Sequence, residues 1–258
     1  MSASTPTLAE LRERLRAIEG VGDRSRPVLP FGLSAIDERL ADAGLRLDAL
    51  HEVAGEGAGW GDDAAATLFM AGIAARVARS VLWVVRARDL FAPGLYQAGL
   101  DPARVLYAEA RDDAELLALM EEGLRHRGLG AVVGEAKRVS TAATRRLQLA
   151  AEGGGTVALL LKRPGREGAR EGARDGADPF GLPSAAATRW RISGAPSAPV
   201  PWNGLGRACW RLSCVRQRGG EPFELVVEAP DETGRLALPA RLVDRPAAAD
   251  RAPTRAAG

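Results

Sequence analysis

Residues 50–69 read LHEVAGEGAGWGDDAAATLF: an apolar run, a set of alternating glycines, and a helix-forming stretch rich in alanine. A strand that ends in a glycine-rich turn and passes straight into a helix is the arrangement that cradles phosphate. The turn's N–H groups face the anion, and the helix start adds the positive end of its dipole. A working loop of this kind has the spacing G-x-x-x-x-G-K-[ST], with the lysine on the terminal phosphate and the hydroxyl on magnesium. Gly55, Gly57, Gly59 and Gly61 supply the glycines. The lysine is missing. Read without a gap, Gly61 takes its place; with one residue of slack, Asp62 does, and Asp62 or Asp63 then stands where the hydroxyl belongs. Carboxylates at a helix start complement its dipole by about 0.3–1 kcal/mol each, and they repel a triphosphate. The expectation is that Asp62 and Asp63 cap the helix where phosphate would sit, and that no nucleotide or other cofactor is held. A dinucleotide fingerprint fits no better, because G-x-G-x-x-G is not met.

Outward from this loop the texture is regular. VLWVV (81–85), RVLYA (104–108), GAVVG (130–134) and TVALLL (156–161) are short apolar runs suited to buried strands, as is LHEVA (50–54). Helical patterns lie between them at 62–79, around 88–99 as a loop and turn, at 112–127 and at 141–152. The 112–127 segment opens with Asp112, Asp113 and Glu115 and closes with Arg125, His126 and Arg127, the order a helix dipole favours. Strands alternating with helices predict an α/β fold with a mostly parallel sheet and helices on both faces. Before this core, Leu8, Leu11, Leu15 and Ile18 are spaced as one apolar stripe on a short helix. A polar linker follows, so residues 1–27 read as helix plus linker.

After Leu161 the rhythm breaks. Residues 163–187 repeat Gly, Arg, Glu and Ala with no apolar face and predict a long flexible loop. Its charges nearly balance and its one aromatic is Phe180, so DNA contact there is expected to be weak. TRWRIS (188–193), RACWRLSCVR (207–216) and PFELVVEA (222–229) then read as strands, with Gly219-Gly220 joining the last two as an antiparallel hairpin. Alternation puts Trp210, Leu212 and Cys214 on one hairpin face and Arg211 and Ser213 on the other. The arginines before the turn and the acids after it predict cross-strand pairing. Residues 28–244 are expected to form one domain, and 245–258 a disordered tail.

The 258 residues are 46% hydrophobic and 26% charged with a net charge of +2, which excludes a wholly disordered chain and does not single out a nucleic-acid binder. No apolar stretch approaches the roughly 18 residues of a membrane span. The two cysteines, Cys209 and Cys214, lie at an odd offset on one strand, so no bridge is expected and the chain reads as a reduced, cytoplasmic protein. His51 and His126 have no metal-ligand spacing with them. Ser140, Thr141 and Thr144 sit at a helix start with no histidine nearby, so capping is expected rather than nucleophilic chemistry. Arg145 and Arg146 on the following helix are expected to face solvent.

The segment Leu29 to about Leu161 resembles the RecA-like ATPase core. LSAIDERLADAGLRLDALHEVAG is similar to that fold's first strand, helix and P-loop strand, and VRARDLFAPGLYQAGLDPARVLYAEARDDAELLALMEEGLRHRGLGAVVGE to the stretch that follows. In this correspondence Arg88, beside Asp89, stands where recombinases carry the catalytic glutamate. The Walker B aspartate falls at Gly134 or Glu135. The resemblance implies a pseudo-ATPase with no catalytic residue.

Nearly the whole chain resembles the ImuA family, the inducible-mutagenesis proteins of bacteria, some described as SulA-like. LPFGLSAID, LHEVAG, GAVVGE, TRRLQLAAE, TRWRIS and ACWRLSCVRQRGGEPFELVVEA before LALPARLV carry that likeness. It implies a non-catalytic subunit of an SOS-induced translesion assembly, with a Y-family polymerase-like protein (ImuB), an error-prone replicative-type polymerase and RecA as partners. The alternatives it leaves are a degenerate ATPase that modulates recombination and a SulA-like inhibitor of cell division. Candidate partner anchors are Leu11 and Leu15 on the N-terminal stripe, and Trp190, Trp202, Trp210 and Arg211 near the hairpin.

Overall fold

The computed structural model describes residues 26–57, 59–137, 139–163, 178–197 and 204–239. The Leu8–Ile18 stripe with Leu11 and Leu15, most of the 1–27 linker, the middle of the 163–187 loop, Trp202 and the 245–258 tail lie outside the described residues.

Two short strands, β1 (Val28–Leu29) and β2 (Leu45–Arg46), pair antiparallel and flank a one-turn helix, α1 (Ser34–Asp37). The main sheet has eight strands in the spatial order β10-β9-β8-β3-β7-β6-β4-β5. Its members are β3 (Leu50–Gly55), β4 (Ser80–Val85), β5 (Val105–Glu109), β6 (Leu129–Ala136), β7 (Val157–Lys162), β8 (Thr188–Ala195), β9 (Cys209–Gln217) and β10 (Phe223–Glu228). From β8 to β5 every pairing is parallel; β8–β9 and β9–β10 are antiparallel. The expected α/β architecture is present, extended by a three-stranded antiparallel flank. Gly219, at φ +81°, turns the chain between β9 and β10, a conformation that costs glycine little.

Helix α2 (Trp60–Arg76) covers one face of this sheet. The other face carries α4 (Asp113–Arg125) and α5 (Thr141–Gly154). A one-and-a-half-turn helix, α3 (Ala92–Gln97), follows β4. Caps set the boundaries: Asp112 accepts from Glu115 N at 2.8 Å, Ser140 from Ala143 N at 3.2 Å, and α5 stops at Gly155 in a left-handed conformation. The central strands are apolar on both faces because both are covered. Val53, Trp83, Val133 and Leu159 meet Phe69, Met70 and Ile73 of α2. Leu50, Val84, Val132 and Leu160 meet Leu116, Met120, Leu124 and Leu147. Among the described residues no helix is long and apolar enough to cross a membrane.

Three expectations are corrected here. RVLYA is not a buried strand: β5 is the sheet edge, and Leu106 and Tyr107 are half exposed. Residues 178–187 are not free loop, since Phe180, Ser184, Ala186 and Ala187 are buried against β8 and the α5 side. Trp190 and Trp210 are core residues, not surface anchors. Trp190 stacks among Phe31, Phe69 and Phe223 at ring separations of 5.6–5.9 Å, because β8 lies beside β3 beneath α2. Arg211 stays on the surface, 3.5 Å from Glu224 across the hairpin, the cross-strand pairing expected there.

Candidate functional site: a phosphate cradle filled from within

In a parallel α/β sheet ligands sit at the carboxyl ends of the strands, and that is where β3 runs into α2. Gly55 is required there by close approach: a Cβ on it would lie 3.0 Å from the Asp62 carbonyl carbon and 3.1 Å from Asp63 N. The loop then turns at Gly57 and enters the helix after Gly59. Asp62 does not hold the N-cap position of α2, which falls to Gly59. Its carboxylate turns back into the loop instead. Oδ2 accepts from Gly57 N at 3.0 Å, and Oδ1 accepts from Gly194 N at 3.0 Å on β8. Glu56 adds two more ties to the same strand, Glu56 N to Ile192 O at 2.9 Å and Ser193 Oγ to Glu56 Oε2 at 2.6 Å. An anionic group of the chain itself thus receives a loop N–H that a phosphate oxygen would otherwise claim. Gly59 and Gly61 face open space.

Below the loop, on the α2 face, lies a buried ionic cluster. Glu135 at the end of β6 is 7% exposed. Trp83 Nε1 donates to it at 3.4 Å, and an Arg163 Nη lies 3.3 Å from its other oxygen. Arg163 also reaches Asp89 at 3.2 Å and Thr67 Oγ1 at 3.5 Å. Burial pushes the Glu135 carboxyl above its ordinary range, Arg163 opposes that, and the charges of Asp89 and Asp63 add to it. Arg163, expected as the first residue of a flexible loop, is instead a clamp in the cleft. Arg88 points elsewhere, pairing with Glu109 at 2.7 Å on the surface.

The opposite face holds a second cluster. Glu52 of β3 is fully buried, accepting from Arg189 Nε at 2.7 Å and Ser184 Oγ at 2.9 Å, with Lys162 Nζ at 4.0 Å. Arg189 also donates to Phe180 O and Leu182 O, which anchors the 178–187 segment. Lys162 follows Leu161, the register partner of Val53, and so ends β7 close to the glycine loop, yet on the wrong side of the sheet to serve it. Burial holds its ammonium below the ordinary lysine range, against the charge of Glu52.

The remaining candidates are structural. His51 is buried between Arg46 O and Thr188 Oγ1, at 2.7 Å from each, and burial pulls it down to about 4. Cys209 and Cys214 are free and buried, and burial raises the Cys214 thiol to about 12, which makes it inert. Sequence reasoning missed Arg163 and Glu52. The signal available for Glu52 was a lone acid inside an otherwise apolar strand, since a charge there demands a partner.

No family model matches the chain. Two curated relatives, Protein ImuA of Caulobacter vibrioides strains NA1000/CB15N and ATCC 19089/CB 15, are each 41% identical over 227 residues, covering 85% of this chain and 90% of theirs. Among solved structures, the RadB recombinase superposes with a TM-score of 0.53 at 15% identity over 81% of this chain and 98% of its own, which shows the RecA-like fold. SulA from Pseudomonas aeruginosa matches at 27% identity over 44% of this chain and 96% of its own, with a TM-score of 0.38. Identity of this level along nearly the full length of both sequences decides the assignment: the chain belongs to the ImuA family.

Proposed function

We propose that this chain is a non-catalytic RecA-like accessory subunit of a DNA-damage-induced, error-prone translesion assembly in the cytoplasm, working through contacts with proteins. The partners are a Y-family polymerase-like protein, an error-prone replicative-type polymerase and RecA, with DNA contact weak. The observation that supports this reading most is the filled cradle. Asp62 takes the Gly57 N–H, Arg163 spans Asp89 and Glu135, and neither a lysine nor a hydroxyl follows the glycines. Phosphoryl transfer rests on positioning and on charge that stabilises the phosphates. A cleft that presents carboxylates in that place works against both. The ImuA relatives support the mutagenesis setting, and the RecA-like fold supports surfaces suited to RecA-type contacts.

Two measurements test the reading. Calorimetric titration of the full chain with MgATP is expected to show no binding in the micromolar range and no phosphate release. Hydrolysis that disappears in Arg163→Ala or Glu135→Gln would overturn it. Affinity purification from DNA-damaged cells is expected to recover the polymerase-like partner in stoichiometric amount, equally with wild type and with Asp62→Asn. Failure to recover any polymerase subunit would remove the assembly from the proposal.

A further inference from the structure

The amino ends of the central strands carry a different feature, on the sheet face opposite α2. α4 and α5 both end there, and Gly154 lets them touch: a Cβ on it would lie 1.8 Å from Leu124 O. Beside that contact a groove of about 380 Å³ opens, lined by Glu121, Arg125, Arg127, Arg146 and Leu149 over Gly153. Glu121 is buried and receives both Arg125 and Arg146, the latter through Nε at 2.8 Å as well as a terminal nitrogen. One buried carboxylate thereby fixes two guanidinium groups, although their side chains remain 63% and 65% exposed. Their outward N–H groups are held ready at little further entropic cost. Leu149, 61% exposed, sits among them. Arg146, expected to be simply solvated, is part of this construction.

We infer that this groove is a docking site for an acidic peptide segment of a partner protein, with an apolar side chain seated on Leu149 and flanking carboxylates on Arg125, Arg127 and Arg146. Charge complementarity selects the occupant: three guanidinium groups face one carboxylate already in use, so the groove carries a net positive charge. The chain's own segments outside the described residues do not qualify, since in none of them do acids outnumber arginines. Nucleic acid fits less well. The groove lining holds no aromatic ring for a base to stack on. An exposed leucine at the centre also offers a phosphodiester nothing. A single apolar anchor rimmed by charge is instead what short acidic-hydrophobic segments recognise. The inference is independent of the cleft reading, because the groove lies at the amino ends of the strands, whereas Asp62 and Arg163 lie at their carboxyl ends.

Selection of random dodecapeptides displayed on phage against the full chain tests it. The enriched sequences are expected to carry two or more acids around a Leu, Ile, Phe or Met. The most enriched peptide, synthesised with a fluorophore, is expected to bind more weakly as salt rises. Leu149→Asp and Arg127→Glu, both at solvent-exposed positions, are each expected to weaken it at least tenfold with the thermal midpoint unchanged. Peptides with no acidic bias, or affinity unchanged in both variants, would overturn the proposal. So would a fluorescent 20-mer oligothymidine that binds the wild type more tightly than the peptide and loses affinity in both variants, which would make the groove a nucleic-acid surface.

Discussion

Glu52 lies midway along β3 and Glu135 near the carboxyl end of β6, two strands separated only by β7, and they face opposite sides of the sheet. Each is buried and each has an arginine, yet their settings differ. Glu52 is met by Arg189, Ser184 and Lys162, all donors, and its arginine goes on to hold two backbone carbonyls. Glu135 shares one arginine with Asp89 and has Asp63 nearby. The first is a closed structural joint that fastens residues 178–187 to the sheet. The second is an acid-rich cleft with one cation holding it together, located at the carboxyl ends of parallel strands, where an open α/β sheet takes its ligands. A buried carboxylate costs little when donors surround it and becomes hard to ionise when other acids do.

The largest test breaks the closed joint. Arg189→Met leaves Glu52 with only Ser184 and a distant lysine, and frees the Phe180 and Leu182 carbonyls. Removing one member of a buried pair costs about 3–5 kcal/mol, so urea denaturation is expected to show a loss in that range. A loss under about 1 kcal/mol would mean that Glu52 is not anchored as described.

The next sharpens the contrast by pH, using the residue beside Glu52. His51 projects to the α2 face. There its Nε2–H donates to Arg46 O, its Nδ1 accepts from the Thr188 hydroxyl, and Thr188 in turn accepts from Trp190 Nε1 at 2.6 Å. The chain of donors is complete only while the ring is neutral. Its folded value of about 4 lies below the ordinary 6.5, so the unfolded chain binds the proton first as pH falls. His51 therefore contributes stability above pH 6.5 that is lost between 6.5 and 4, about 3 kcal/mol in all. His51→Gln is expected to flatten that part of the stability curve, measured by urea midpoints at half-unit steps. An unchanged slope would show that the imidazole is not buried neutral.

The smallest of the three probes the acid-rich cleft. Arg163→Ala leaves Glu135 and Asp89 without the cation they share and is expected to cost about 1–3 kcal/mol at pH 7.5, since Arg163 is only partly buried. The sign of the pH dependence is the reverse of His51. The Glu135 carboxyl already lies above its ordinary range and rises further without Arg163. The folded state then binds the proton more tightly than the unfolded one, and the deficit shrinks as pH falls to 5. A deficit equal at both pH values would detach Arg163 from Glu135.

Much of the architecture was legible in residue order. Apolar runs of five or six residues separated by amphipathic stretches marked the parallel strands β3 to β7, and Asp112 and Ser140 marked helix starts, because caps and periodicity act over a few residues. The hairpin was readable from Gly219-Gly220 and from alternation about Trp210. Alternation also sorted that strand's faces, but it could not say which face meets helix α2. That depends on β8 inserting beside β3, so Trp190 and Trp210 passed for anchors on a surface. The edge position of β5 is a similar case: RVLYA is apolar enough for a core strand, and only the spatial order places it last.

The sequence by itself determined that a strand, a glycine loop and a helix would follow one another at residues 50–69, and that no lysine would serve that loop. Both facts are local, fixed by residue type and spacing. Only the tertiary structure decided what occupies the cradle. Asp62 meets Gly194 across 132 positions of chain, Arg163 meets Asp89 across 74, and Arg189 meets Glu52 across 137. Such pairings arise when the sheet closes and brings strand ends from distant segments to one edge. For Glu52, fully buried, charge burial then makes the pairing obligatory, because a carboxylate withdrawn from water is tolerated only where a donor has been brought to meet it.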